Sequence, residues 1–78
     1  MKLRDVVPES RVVVLTTGKP GHGWTTRVWR INGAGGIDGI VAEFWMAGLA
    51  ESGRKHAEVV SMARRGDYAE RRRMAVAS

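Results

Sequence analysis

Two β-branched, largely apolar runs separated by a glycine-dense turn constrain this chain more than any other feature. Val12-Val13-Val14-Leu15 continues into Thr16-Thr17. Side chains of this kind are stiff at χ1 and fit a pleated sheet better than a helix. Gly18-Lys19-Pro20-Gly21-His22-Gly23 follows, a cluster of residues that reverse the chain. Trp24-Thr25-Thr26-Arg27-Val28-Trp29-Arg30-Ile31 is then a second strand. A period of two puts Trp24, Thr26 and Val28 on one face, and Thr25, Arg27, Trp29 and Ile31 on the other. Neither face is polar throughout. One is expected to meet helices, and the other to stay partly exposed or to meet a partner.

Beyond Asn32-Gly33-Ala34-Gly35-Gly36 the spacing predicts helices. Ile37, Ile40, Val41, Phe44, Trp45, Gly48 and Leu49 recur at intervals of three and four, the mark of an amphipathic helix over 37–49 with Trp45 in the core. Ser52-Gly53 reads as a break and 54–65 as a second helix with Val59, Val60 and Ala63 inward. Gly66 suits the position just past that helix end, where Arg64 and Arg65 complement the helix dipole. Asp67-Tyr68-Ala69-Glu70 has capping-box spacing and would open a third short helix. Residues 2–7 are a candidate third strand. The fold class expected is therefore α+β, one domain over 1–78. A small antiparallel β-hairpin sheet of two or three strands (region 1–36) packs on two or three C-terminal α-helices (region 37–78). A two-stranded sheet is marginal alone, so a second copy that extends it is among the partners expected.

Composition narrows function. The chain has 78 residues and no cysteine, which removes disulfides, Cys-ligated zinc and thiol catalysis. With only His22 and His56, no dedicated metal site and no cofactor are expected. No apolar run approaches a membrane span, and Met1 to Val7 lacks the apolar core of a secretory signal, so a cytosolic, cytoplasmic location is expected. Charge is divided along the chain. Residues 1–36 hold six Lys/Arg and two acids, 37–53 hold three acids alone, and 54–78 hold seven Lys/Arg and three acids, giving the net +5. Such asymmetry favours a charged partner.

Three resemblances bear on activity. Val12 to Thr26 resembles the phosphate loop of P-loop NTPases, with Gly18, Gly23 and Thr25 at matching positions. Trp24 stands where that family has its lysine, and the loop runs into a strand and not a helix, so a hairpin turn is expected and nucleotide hydrolysis is not. W-R-I-N-G, V-A-E-F-W and A-R-R-G over Trp29–Gly66 resemble the opening strand and helical hairpin of RelE/HigB-type mRNA-cleaving toxins. That family's catalytic basic and aromatic residues lie on later strands, which this sequence does not contain. His22 is expected as a solvated loop residue and His56 as a core-edge histidine. The acids show no spacing for paired-carboxylate chemistry, and no enzyme is expected.

The strongest functional signal is cationic. Ten of the thirteen cations are arginine, suited to bidentate contacts with phosphate or carboxylate. Arg54, Lys55, Arg64, Arg65, Arg71, Arg72 and Arg73 form the C-terminal set, with Trp24 or Trp29 as an apolar anchor beside Arg27 and Arg30. The bland alternative is a solvated helix face. The plan of a small sheet before helices is similar to that of small phage-encoded anti-CRISPR proteins. The runs A-E-F-W-M-A-G-L-A and A-R-R-G-D-Y-A-E-R-R-R resemble C-terminal helices of that group. The resemblance implies an inhibitor that docks on a CRISPR effector subunit, or another host nucleoprotein complex in the bacterial cytosol, and blocks its DNA-binding surface or assembly. The alternative is a direct nucleic-acid-binding module or a phage or plasmid transcriptional regulator.

Overall fold

A computed structural model of the chain describes residues 2–68. Four strands form one antiparallel sheet in sequence order: β1 (Lys2–Val7), β2 (Val12–Lys19), β3 (Gly23–Ile31) and β4 (Ile37–Met46). A single helix among the described residues, α1 (Leu49–Arg64), crosses one face of that sheet.

The predicted hairpin is present. Thr16 lies opposite Thr26 and Val14 opposite Val28, and the candidate strand at the N-terminus pairs outside β2, with Asp5 opposite Val14. A 3₁₀ turn at Pro8–Ser10 links β1 to β2 and is pinned where Ser10 Oγ donates to the Ala63 carbonyl at the end of α1. The helical regions need correction. Residues 37–46 are the fourth strand, not a helix, and α1 runs straight through Ser52-Gly53 with Ser52 fully buried. The strand assignment follows the β-branched and aromatic content of Ile37, Ile40, Val41, Phe44 and Trp45. Two register shifts in the β3–β4 ladder explain the misleading spacing. Trp29 pairs with Ile40 while Val28 pairs with Ala42, so Val41 is an extra residue; Asp38 is extra in the same way. Each bulge converts a period of two into a step of three. The run A-E-F-W-M is accordingly strand, and its likeness to an inhibitor's C-terminal helix is not carried by the backbone. Of the expected third helix, Asp67 and Tyr68 lie in a turn and the remainder falls outside the described residues.

The core lies between α1 and the sheet. Val7, Val12, Val14 and Val28 meet Val59, Val60 and Ala63, with Val41, Ala42, Phe44 and Tyr68 packed around them. The buried positions of α1, Ser52, His56, Val59, Val60 and Ala63, fall on one stripe of a 3.6-residue helix. Gly66 (φ 90°) closes α1 as predicted. Its amide donates to the Ala63 carbonyl and the Asp67 amide to that of Met62, both at 3.0 Å, the two bonds of a Schellman end. Tyr68 Oη reaches Met62 Sδ at 3.8 Å. Burial, then the Asp67 and Glu58 carboxylates, raise its phenol above the ordinary 10.0.

Two tryptophans rest on glycines at the hairpin end, one on each side of the sheet. Trp24 lies over Gly18 on the helix side and is 7% exposed. A Cβ at Gly18 would fall 2.6 Å from Trp24 Cδ1 and collide with the Gly23 carbonyl as well. Because backbone cannot yield as a flexible side chain does, Gly18→Ala is expected to lower stability by about 2–3 kcal/mol, the upper range for overpacking. Urea denaturation followed by tryptophan fluorescence measures this, and a loss under about 0.5 kcal/mol, the scale of a neutral surface change, would contradict it.

Candidate functional site

Two polar constellations stand out, and they differ in what they can do. The first is buried. His56 projects from the middle of α1 toward the sheet and is 5% exposed. Its Nε2 lies 2.8 Å from Asp5 Oδ2 on β1, and its Nδ1 2.7 Å from Thr16 Oγ1 on β2. Thr16 Oγ1 is 2.6 Å from Thr26 Oγ1 on β3. The carboxylate only accepts, so Nε2 carries the proton; in the neutral ring Nδ1 then accepts from Thr16, which accepts from Thr26. Asp, His and Thr in a row resemble a nucleophile relay on paper. Thr16 is fully buried, however, and both ring nitrogens are occupied. The chain of bonds ties α1 to three strands and keeps the Thr16 hydroxyl from solvent, while at its outer end the half-exposed Asp5 and the His56 ring line a shallow surface pocket bordered by Ser61 and Arg64. His56 is thus the core-edge histidine expected, with a partner 51 residues away that sequence spacing cannot reveal.

The second constellation is the sheet face turned away from α1. Alternation and register place Lys2, Arg4 and Val6 of β1 there, with Val13, Leu15 and Thr17 of β2. Thr25, Arg27, Trp29 and Ile31 of β3 and Ile37, Ile40, Glu43 and Trp45 of β4 complete it. The residues fall into rows across the strands. Val6, Val13, Trp29 and Ile40 form an apolar row. The row beside it is Arg4, Leu15, Arg27 and Glu43, in which Arg27 Nε bonds Glu43 Oε2 at 2.6 Å. Beyond that lie Lys2, Thr17, Thr25 and Trp45. No described element covers this face. Trp45 is 64%, Ile37 54%, Ile40 49% and Val6 42% exposed. The Trp45 indole rests over Gly23 (φ 85°), where a Cβ would sit 2.6 Å from its Nε1. Glycine at this turn thus both takes the left-handed backbone and makes room for the ring.

The residues singled out from sequence are divided by this geometry. Arg27 and the half-buried Trp29 are on the open face. Trp24 is buried on the helix side of the sheet and cannot serve as an outward anchor. Trp45, expected in the core, is the most exposed indole. Arg30 lies on the helix side of β3. Arg54, Lys55, Arg64 and Arg65 belong to α1 or its end, on the opposite side of the sheet from Trp29. Lys55 sits 5.2 Å from the Phe44 ring centroid and 3.3 Å from Glu58, and Arg65 bonds Asp67 at 2.9 Å. Arg71, Arg72 and Arg73 lie outside the described residues. Sequence reasoning passed over Lys2, Arg4 and Val6, and placed Ile37 and Ile40 on the apolar stripe of a helix. Alternation in Lys2-Leu3-Arg4-Asp5-Val6 was the available signal for the first three. Among the described residues no helix is long and apolar enough to cross a membrane. No family model, curated protein or solved structure matches the chain.

Proposed function

We propose that this chain is a non-enzymatic binding module that docks the open face of its sheet onto a larger protein assembly. In this reading it acts as a small phage-type inhibitor, held against a CRISPR effector or another host nucleoprotein complex in the bacterial cytosol. The observation that carries the reading is an uncovered sheet face with a tryptophan and three aliphatic side chains between two-fifths and two-thirds exposed, beside Lys2, Arg4 and Arg27. Aromatic and aliphatic groups rimmed by arginine are the composition of an interface centre. Aliphatic Val6, Ile37 and Ile40 favour a protein over a nucleic acid, because bases stack on aromatic rings and not on branched alkyl groups. Lys2, Arg4 and Arg27 against the single acid Glu43 favour an acidic partner surface.

One observation supports the second reading, direct nucleic-acid binding: the exposed Trp45 ring lies on the same face as Lys2 and Arg27. A titration separates the two. Purified effector complexes and random single-stranded DNA are each added while tryptophan fluorescence is followed at low and physiological salt. The protein-docking reading expects saturable binding to an assembly and little binding to DNA alone. Tight DNA binding that falls with a log–log salt slope of about −3 or steeper, about four or more phosphate contacts on a single strand, would replace it with the nucleic-acid reading.

A further inference from the structure

We infer that the outer edge of β4 pairs with the same edge of a second copy of this chain, joining two four-stranded sheets into one of eight strands. The inference does not depend on the docking reading.

The two edges of the sheet differ in how they meet water. β1 has six residues, carries Lys2 and Arg4, and ends at Pro8. Short length, cations and proline all discourage strand addition. β4 is ten residues long and contains neither lysine nor proline, its two bulges being its edge-blunting feature. As the last strand in the order it presents an unpaired row of amides and carbonyls. Exposed apolar side chains gather at the same margin. Among the described residues five large hydrophobic side chains are exposed: Ile37, Ile40, Trp45 and Leu49 lie on β4 or just past its end, and Val6 lies on β1.

A second copy fits this edge for three reasons. Antiparallel pairing of a strand with itself is isologous, so it closes at two copies. Charge does not oppose it, because Glu43, in the interior of β4, is already neutralised by Arg27, and Asp38 lies near the strand end. The size suits a concentration-dependent joint. With its two bulges the ten-residue edge spans only the eight residues of β3 that it faces, roughly 26 Å, and the molecule is 17 Å thick in its shortest direction. That wall has a projected area of roughly 400–450 Å² per copy, about half the ~800 Å² of accessible surface a standard interface buries on each side. A chain this small gains much from such a joint, since a single core of this size is marginal on its own.

Sedimentation equilibrium of the full chain from about 5 to 500 μM tests this, because mass action must show in the apparent mass. The expected mass rises from 8.6 kDa toward twice that value. Ile40→Lys, a charge on the edge strand at an exposed position, is expected to keep the circular dichroism spectrum and return the mass to that of one copy. Val6→Lys, at the other edge, is expected to leave the dimer intact. The chain has no cysteine, so single cysteines report contact directly. In a β4 edge paired with itself over its whole length position 40 of one copy opposes position 43 of the other, so an equimolar mixture of Ile40→Cys and Glu43→Cys chains should cross-link under mild oxidation, and Lys2→Cys should not. A single-copy mass across the whole range overturns the inference. So does a dimer that cross-links through Lys2→Cys and not through β4. If Ile40→Lys fails to fold, the cross-linking pattern decides alone.

Discussion

Replacing His56 by alanine is expected to cost about 3–4 kcal/mol, close to the whole stability of a domain this size. The imidazole is 5% exposed and fills space between α1 and β1–β2, so truncation leaves a cavity lined by atoms that lose their contacts. It also takes away the Thr16 hydroxyl's bond at 2.7 Å, and an unsatisfied buried hydroxyl adds about 1–3 kcal/mol where relaxation cannot repair it. Asp5 contributes less, because its side chain is half exposed and water takes the place of the imidazole. Asp5→Asn is therefore expected to change stability by under about 1 kcal/mol. The threonine pair gives a sharper test. Thr16→Val strands both Nδ1 and the Thr26 hydroxyl, whereas Thr16→Val with Thr26→Val removes both hydroxyls of the 2.6 Å bond together. The double variant is expected to cost less than the sum of the single ones by at least about 0.5 kcal/mol, the coupling of groups in one network. Urea denaturation by circular dichroism and fluorescence measures all of these. A His56→Ala variant within about 1 kcal/mol of the parent would show that the network is incidental to the fold.

How much of this could be read from sequence depends on the range of the cause. The hairpin was legible because its determinants are local. Val12 to Thr17 and Trp24 to Ile31 are strand formers, and Gly18 to Gly23 must turn. The end of α1 was legible for the same reason, since Gly66 takes a left-handed conformation that few other residues accept. β4 was misread because its two bulges place Ile37 and Ile40 three residues apart on one face, the spacing that otherwise marks a helix. Ser52-Gly53 failed as a break because Ser52 is buried, and its hydroxyl bonds the Leu49 carbonyl at 2.6 Å inside the helix. Tertiary burial outweighed a weak local propensity there. The open face was half legible. Arg27 and Trp29 were assigned to one side of a strand, which is correct, but that side could not be recognised as uncovered until the helix was known to lie on the other. The Asp5–His56–Thr16–Thr26 chain was not legible at all, because its members are drawn from four elements.

Charge reversal and indole removal on the open face should separate steering from anchoring. Against a cognate acidic assembly, Trp29→Ala is expected to weaken binding about 100-fold, the effect of losing a central aromatic anchor worth close to 3 kcal/mol. The change should appear mainly as faster dissociation, because anchors act after encounter. Arg4 is exposed and has no ion pair to break among the described residues, whereas Arg27 is tied to Glu43. Arg4→Glu is therefore expected to slow association several-fold, to flatten its salt dependence and to leave dissociation nearly unchanged. Trp29 also shields Val13, which is 4% exposed on the same face, so thermal melting must confirm that the Trp29→Ala variant remains folded; Arg4→Glu perturbs no core contact and serves if it does not. Surface kinetics on an immobilised assembly give both rates. The proposed face fails if neither variant shifts the affinity by more than about twofold, under half a kilocalorie per mole. It fails more informatively if Arg54→Glu or Arg64→Glu, on the helix side, has the larger effect. Binding would then run through the cations of α1, and the apolar rows of the sheet would face another copy of the chain or water.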